Sequence, residues 1–482
     1  MYKTVIKNTF FYGLATVVPK IINFLLVKVH TDSLNVSDYA VNTDFYIWIS
    51  LFAILLTFGV ETSFFRFYND ENDKSKLIGT TFITTVCSVI LLGIFFCLFE
   101  NFLLEIFDFT GNSFRIKILF GVLAFDTLST IPFAYLRIKN NASLYAIIRF
   151  VNVIIVVGLN LFFLKFLPEF IDSYRKLPSI FTENFYKVNL VDYIFIANLI
   201  GSGVSFLLLL PYLIKFKFYF DLTLLKRIIK YGWPIVIAGM AYIINENMDK
   251  FLIKRLVGGS EMGIYSACYK LSIFMNLYVM AFRLGIEPFF FNVYANKNAK
   301  AIYSKIMTYF VIIGSLILFA IVALVDVFKN FINPNYWDAL IIVPIVLLAN
   351  LFSGIYQNLS IWYKLINKTY FGMCFSLIGA TITVFLNLLL LPIFGFIVSA
   401  WVTLIVYFVM TLLSYRYGKK YYKITYNIRK INLYLITSII LSIISFCYFR
   451  NNIFVSISLI LFFIIFTIIN ERKELMILLN KY

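Results

Sequence analysis

The sequence predicts an all-α integral membrane protein of about fourteen transmembrane helices, arranged as two parallel six-helix repeats followed by two extra C-terminal helices. Three observations carry this. Of the 482 residues, 61% are hydrophobic and 14% charged, against ~25% charged in an ordinary soluble chain, and the mean hydropathy is +0.89. Apolar segments near the ~20 residues that a bilayer-spanning helix requires recur along the whole length. Between them, basic residues alternate between abundant and scarce.

The spans read, in order, as approximately 8–29, 44–66, 77–98, 114–136, 143–166, 190–214, 230–253, 262–291, 303–326, 338–363, 370–390, 394–415, 431–449 and 453–470, with ends good to ~2–4 residues. The first, from Asn8 to Val29, is of full span length and no small-residue cleavage pattern follows it, so it is expected to stay as a helix. An even count puts both termini on one side, and short cytoplasmic connections are enriched in Lys and Arg. The even-numbered connections and both tails hold most of them. Lys215, Lys217, Lys226, Arg227 and Lys230 follow span 6, and Arg416, Lys419, Lys420, Lys423, Arg429 and Lys430 follow span 12. The odd-numbered connections hold few, with none between His30 and Asp44 and none in the Pro392 turn. Both termini are therefore expected in the cytoplasm. The net charge of +18 reads as orientation plus attraction to anionic lipid head groups, not as nucleic-acid binding.

The longest outside connection, Leu167 to Asn189, mixes Glu169, Asp172, Glu183, Arg175 and Lys176 with aromatic residues and is expected to form a short interfacial helix. No connection can house a soluble catalytic domain, so function must lie in the bundle. Cys87, Cys97, Cys268, Cys374 and Cys447 all fall in apolar segments without Cys-x-x-Cys spacing and read as buried, inert thiols. His30 is the only histidine, which leaves too few ligands for a His-based metal site.

Spans 1 and 7 look related. Ile6-Lys7 before Tyr12-Gly13 resembles Ile229-Lys230 before Tyr231-Gly232, and Leu34 to Ala40 resembles Val257 to Gly263. The expected organisation is a first lobe at 1–214, a cytoplasmic linker at 215–229, a second lobe at 230–415, a basic cytoplasmic loop at 416–430, and peripheral helices 13 and 14 with the tail at 431–482. Parallel repeats place a substrate site at their interface near the midplane.

Charges inside the spans are the candidate functional groups, because a Lys at a helix centre costs roughly 2.5–3.5 kcal/mol on insertion scales. Lys20 lies mid-span with Asn23 and Pro19 for company. Asp126 on span 4 lies at similar depth, either paired with Lys20 or lining a cavity beside it. Span 7 ends in Asn245-Glu246-Asn247-Met248-Asp249-Lys250, where Glu246 and Lys250 are spaced to pair and water is expected close by. Span 8 carries Lys270, then Arg283 and Glu287 as an i,i+4 pair, then Pro288, which should kink it. Glu61 on span 2 needs a partner, whereas Arg66 reads as cytoplasmic decoration and Arg149 as a snorkelling side chain. Lys20, Arg149, Lys250, Lys270 and Arg283 imply an anionic cargo, since Arg and Lys in a low-dielectric cavity bind phosphate strongly.

Several motifs in order now match a known family. Tyr12-Gly13 followed by Ser37-Asp38-Tyr39-Ala40, Gly59-Val60-Glu61-Thr62-Ser63-Phe64-Phe65-Arg66, Asp249-Lys250-Phe251-Leu252-Ile253, Tyr265 to Leu271, and Ala281-Phe282-Arg283 with Glu287-Pro288-Phe289 resemble bacterial Wzx-like polysaccharide flippases, of the multidrug/oligosaccharidyl-lipid/polysaccharide (MOP) exporter superfamily. The resemblance implies a V-shaped, MATE-like bundle of two lobes around a cationic cavity. It also implies a transporter, not an enzyme, that flips an undecaprenyl-pyrophosphate-linked oligosaccharide across the bacterial inner membrane for surface polysaccharide or O-antigen of lipopolysaccharide. No cofactor is expected beyond a coupling H⁺ or Na⁺. A polysaccharide polymerase and other assembly proteins are expected partners of a monomeric carrier. By the same resemblance, Lys20, Asn23, Lys270 and Arg283 become substrate contacts, and Glu61, Asp126, Glu246, Asp249, Lys250 and Glu287 coupling or gating groups. Where the family often has Arg in the span 7 motif this chain has Lys250, which forfeits bidentate geometry. A drug antiporter of the same superfamily, with twelve helices, and an oligosaccharide polymerase, with a large outside loop, are the rival expectations.

Overall fold

A computed structural model describes every residue except 1, 69, 72, 110, 140, 174–187, 215–217, 295 and 480–482. The described residues are helical throughout with short connections and no strand. A helix stands at each predicted span. They are α1 (Tyr2–Ser33), α2 (Val36–Thr57 and Val60–Phe67), α3 (Lys74–Leu98), α4 (Ser113–Ile138), α5 (Ala142–Leu161, continuing to Ser173), α6 (Leu190–Leu213) and α7 (Leu222–Leu256). Then come α8 (Gly259–Tyr269 and Ile273–Val293), α9 (Ala299–Ala323), α10 (Ile342–Leu359 and Ile361–Leu365), α11 (Tyr370–Phe394), α12 (Ile397–Tyr421), α13 (Ile428–Tyr448) and α14 (Ile453–Leu479). Among the described residues 12 helices, all of these but α1 and α8, are long and apolar enough to cross a membrane by length and composition. The protein is a multi-pass membrane protein.

By packing the chain divides into two compact units, Met1–Lys254 and Arg255–Tyr482. The division falls in the last turn of α7, because nearly all of α7 is built into the first unit. Helix α2 breaks at Phe58 and Gly59, which take positive φ values of 44° and 65°. A glycine tolerates that conformation without a Cβ penalty, and the missing side chain lets a second backbone in. A Cβ on Gly59 would sit 2.9 Å from the Gly232 carbonyl oxygen, and one on Gly232 would overlap the Phe58 carbonyl oxygen. Below this crossing the Ser63 hydroxyl donates to the Ile228 carbonyl at 3.2 Å, and Leu224 and Ile228 of α7 are buried against Val60, Phe64, Ile131 and Ala134.

In the second unit, Trp362 is buried against Tyr363, Phe371 and Phe375 and donates its indole N–H to Ser414 at 3.2 Å. Helices α13 and α14 pack on α9 through Tyr434, Phe319 and Phe463. Ion pairs fasten both ends of this hairpin. Glu471 accepts from Lys430 and from the Tyr434 hydroxyl, both at 2.6 Å. Asp326, in the turn after α9, accepts from Lys329 at 2.8 Å, Arg450 at 3.0 Å and the Asn451 backbone N–H at 2.8 Å. Burial alone would raise the Asp326 carboxyl, but Lys329, Arg450 and the Asn451 N–H outweigh it and hold the group at about 2.

Several expectations are corrected here. Helix α5 does not end at 166 but runs through a π-helical turn, Phe162–Phe166, to Ser173. The interfacial helix expected beyond it falls at 174–187, outside the described residues, as do Lys215 and Lys217. Helix α8 is interrupted at Lys270–Ser272 by a 3₁₀ turn. Of the cysteines, only Cys268 is buried, while Cys87, Cys97 and Cys447 are exposed. Thiols are weakly polar, and these three sit on apolar outer faces that bilayer hydrocarbon can cover.

Candidate functional site

The first unit contains a polar cavity of about 220 Å³, lined by Glu61, Asp126, Ser129, Thr130, Phe133, Tyr145, Arg149, Asn152 and Ser205. Helices α2, α4, α5 and α6 contribute these side chains. Ser129, Thr130 and Ser205 donate their hydroxyls back to the carbonyls of Phe125, Asp126 and Gly201 four residues earlier, at 2.7, 3.2 and 2.9 Å. Such back-bonding uses up the proton of each hydroxyl and leaves its lone pairs as acceptors. Asp126 is hydrogen-bonded by Ser202 and lies in the field of Arg149. The Arg149 guanidinium stacks over the Phe133 ring at 4.2 Å, with the Tyr145 ring at 5.7 Å. Stacking occupies its π-face and turns its N–H edge outward, the arrangement for which Arg is suited and Lys is not.

Glu61 finds the partner it needed in Arg137 of α4, at 3.0 Å. The second unit repeats this arrangement. Gly285-Ile286-Glu287 on α8 echoes Gly59-Val60-Glu61 on α2, and Glu287 pairs with Lys364 of α10 as Glu61 pairs with a cation of α4. The expected Arg283–Glu287 pair is thereby overturned. Arg283 instead reaches Gln357 at 3.5 Å. The helix spacing permitted the pair, but a cation from another helix took the carboxylate. Arg283, Glu287, Gln357, Asn358, Ser360 and Lys364 line a space of only about 20 Å³, room for one water at the ~10–15 Å³ each needs.

The cluster on α7 also differs from expectation. Asp249 is 1% and Lys250 7% exposed, so the pair is buried and not bathed in water. The Lys250 ammonium bonds both Asp249 carboxylate oxygens, at 3.0 and 3.2 Å, and the Glu246 backbone carbonyl at 2.8 Å. Adjacent residues on a helix do not normally face each other. Here Lys250 folds back over its own neighbour to neutralise it. Four residues on, Lys254 pairs with Asp44, itself 0% exposed in its side chain, and with Asp108, both at 2.9 Å. Arg115 and Asp192 form another buried pair at 2.6 Å, with Asn112 donating to the same carboxylate at 3.0 Å. Sequence reasoning missed both groups because Lys254, Arg115 and Asp192 lie at or beside predicted span ends and Asp108 in a connection, where a charge reads as solvated.

Lys20 and Asn23 lie on the exposed face of α1, next to buried Phe24, and Lys270 is exposed where the 3₁₀ turn of α8 begins. His30 contacts Asn160 through its Nε2 at 2.9 Å. The structure thus brings Glu61 and Asp126 to one cavity wall, Arg283 and Glu287 to another, and Glu246, Asp249 and Lys250 to one buried turn.

Comparison with known proteins accounts for this arrangement of helices. The sequence model of a family described as "Polysaccharide biosynthesis protein" matches residues 5–291. The chain belongs to that family. No curated protein matches it in sequence. Among solved structures it is similar to the lipid II flippase MurJ in an inward closed conformation, with a TM-score of 0.75 at 16% identity, covering 96% of this chain and 99% of that one. An inward-facing multidrug resistance MATE transporter of the MOP superfamily aligns with a TM-score of 0.62 at 12% identity over 86% of this chain and 95% of that one. A MOP superfamily transporter from Pyrococcus furiosus gives 0.58 at 12% identity, over 86% and 94%. These likenesses establish the MurJ/MATE fold for this member of the polysaccharide biosynthesis family.

Proposed function

We propose that the protein is a flippase that moves an undecaprenyl-pyrophosphate-linked oligosaccharide from the cytoplasmic to the periplasmic leaflet of the bacterial inner membrane by alternating access, in the assembly of a surface polysaccharide such as O-antigen. The observation that carries this reading is the polar cavity of about 220 Å³ inside a lipid-embedded fold of a polysaccharide biosynthesis family. A polar recess in a membrane bundle is costly unless something polar passes through it. Lys20, Asn23, Lys270 and Arg283 then supply contacts for the pyrophosphate and polar head group, and a gradient of H⁺ or Na⁺ drives the cycle through carboxylates such as Asp249. Both termini face the cytoplasm, the carrier works as a monomer, and a polymerase receives the cargo on the far side. Drug antiport is the second reading, supported by the MATE-like fold, but α13 and α14 are superfluous to it.

The test is complementation in cells lacking the gene, with Lys20, Lys270, Arg283 and Asp126 replaced singly by Ala. Surface polysaccharide is expected to fall with accumulation of the lipid-linked intermediate. Wild-type levels in all four variants would overturn the reading.

A further inference from the structure

We infer that the cavity walled by Asp126, Arg149 and Asn152 is a subsite for a single uncharged sugar ring of the cargo, not a pyrophosphate site and not the coupling-ion site. This rests on the flippase reading and assigns one part of the cargo to one place.

Charge comes first. The wall carries two carboxylates, Glu61 and Asp126, and Arg149, while Arg137 neutralises Glu61 from behind at 3.0 Å. The local sum is therefore zero. A pyrophosphate would meet two carboxylates against two guanidinium groups, of which Arg137 is already engaged by Glu61, and like charges at close range disfavour it. A bare cation would meet a guanidinium beside its only unpaired carboxylate. A neutral ligand meets no such cost.

Donors and acceptors come next. Among the described residues neither the Asn152 amide nor the Arg149 guanidinium makes a hydrogen bond, and Arg149 has its ring contacts and the field of Asp126. Asp126 accepts one bond, from Ser202, and has lone pairs left. The back-bonded Ser129, Thr130 and Ser205 offer acceptors. Donors and acceptors thus both line the cavity, matching a ring of hydroxyls, each of which donates one hydrogen bond and accepts two. The Tyr145 ring, edge-on to Phe133 at 5.3 Å, adds an apolar surface for the C–H face of such a ring. Size agrees. About 220 Å³ is below the ~300–1,000 Å³ of pockets that enclose drug-sized ligands and suits one pyranose. Asp126 is thereby moved from coupling to cargo recognition.

The test uses full-length protein in nanodiscs and four short-chain polyprenyl-pyrophosphate probes carrying no sugar, one hexose, one N-acetylhexosamine or one uronic acid. Binding is measured for the wild type and for Asn152→Ala and Ser205→Ala. The expected result is a wild-type preference for a neutral sugar over both the sugar-free and the uronic acid probe. Each variant is expected to lose about tenfold for that neutral probe, the size of a lost hydrogen bond to a well-placed polar group, while sugar-free binding is unchanged. Unchanged sugar-free binding also shows that the variant is folded. Equal losses for all probes, no loss for any, or a wild-type preference for the uronic acid would overturn the subsite. Failure of the wild type to bind any of the four would instead count against the flippase reading itself.

Discussion

The two units carry the same Glu–cation pair on equivalent helices, yet one encloses about 220 Å³ and the other about 20 Å³. In the first unit Glu61 is tied back to Arg137, and the space above it is walled by Asp126, Arg149 and Asn152 from α4 and α5. In the second, Arg283 and Gln357 meet across the corresponding space, with Phe282 and Phe310 at its wall. Repeat symmetry fixes backbone and ion pair alike. What differs is whether large side chains fill the recess.

The largest effect should come from the buried ion pairs of the first unit. Arg115→Ala leaves Asp192 buried without its cation, and removing one partner of such a pair costs ~3–5 kcal/mol. Thermal unfolding in detergent should show a much lower midpoint than for Lys364→Ala, whose pair is about one third exposed and worth under ~1 kcal/mol. Equal shifts would erase the distinction between the units. Next, Gly232→Ala forces a methyl group into the Phe58 carbonyl. Overpacking of this kind costs ~1–3 kcal/mol, and transport should fall with it, whereas Gly285→Ala, with open space around it, should be nearly silent in the same assays.

Symmetry itself is tested by Glu61→Gln and Glu287→Gln. Both pairs are partly exposed, so each substitution should cost under ~1 kcal/mol, and a large difference in unfolding midpoint between them would break the proposed equivalence. The smallest effect concerns the α13–α14 hairpin, which has no counterpart in the first unit. Asp326 has its folded-state pKa lowered from 3.8 to about 2. A lowered carboxylate contributes stability above its unfolded value, and that contribution fades as pH falls from about 3.8 to about 2 through the folded value. The wild-type unfolding midpoint should therefore drop more over this window than that of Asp326→Asn.

Much of the fold was legible because the bilayer demands it. Span length and the alternation of basic connections mark helices that solvent-exposed chains would not need, and a helix stands at every predicted span. The Glu61 and Glu287 pairs were half legible, since Gly-Val-Glu and Gly-Ile-Glu stand in the sequence, but their partners lie 76 and 77 residues away. Helix spacing suggested Glu246 for Lys250 and Glu287 for Arg283, but Lys250 neutralises its own neighbour Asp249 and Lys364 of α10 takes Glu287. Lys254, Asp44, Arg115 and Asp192 were hidden by span ends, where an error of a few residues turns a buried charge into a solvated one. The stacking of Arg149 on Phe133 went unseen because a cation–π contact leaves no trace in spacing.

The most direct test of the account is flipping in proteoliposomes containing the purified protein, with a fluorescent polyprenyl-pyrophosphate probe bearing one neutral sugar and a membrane-impermeant quencher. The account predicts that the wild type accelerates flipping over empty vesicles, that Asp126→Asn slows it about tenfold, as the loss of a charged hydrogen-bond acceptor would, and that Lys364→Ala retains most of the rate. No acceleration by the wild type, or equal losses from the two units, would contradict it.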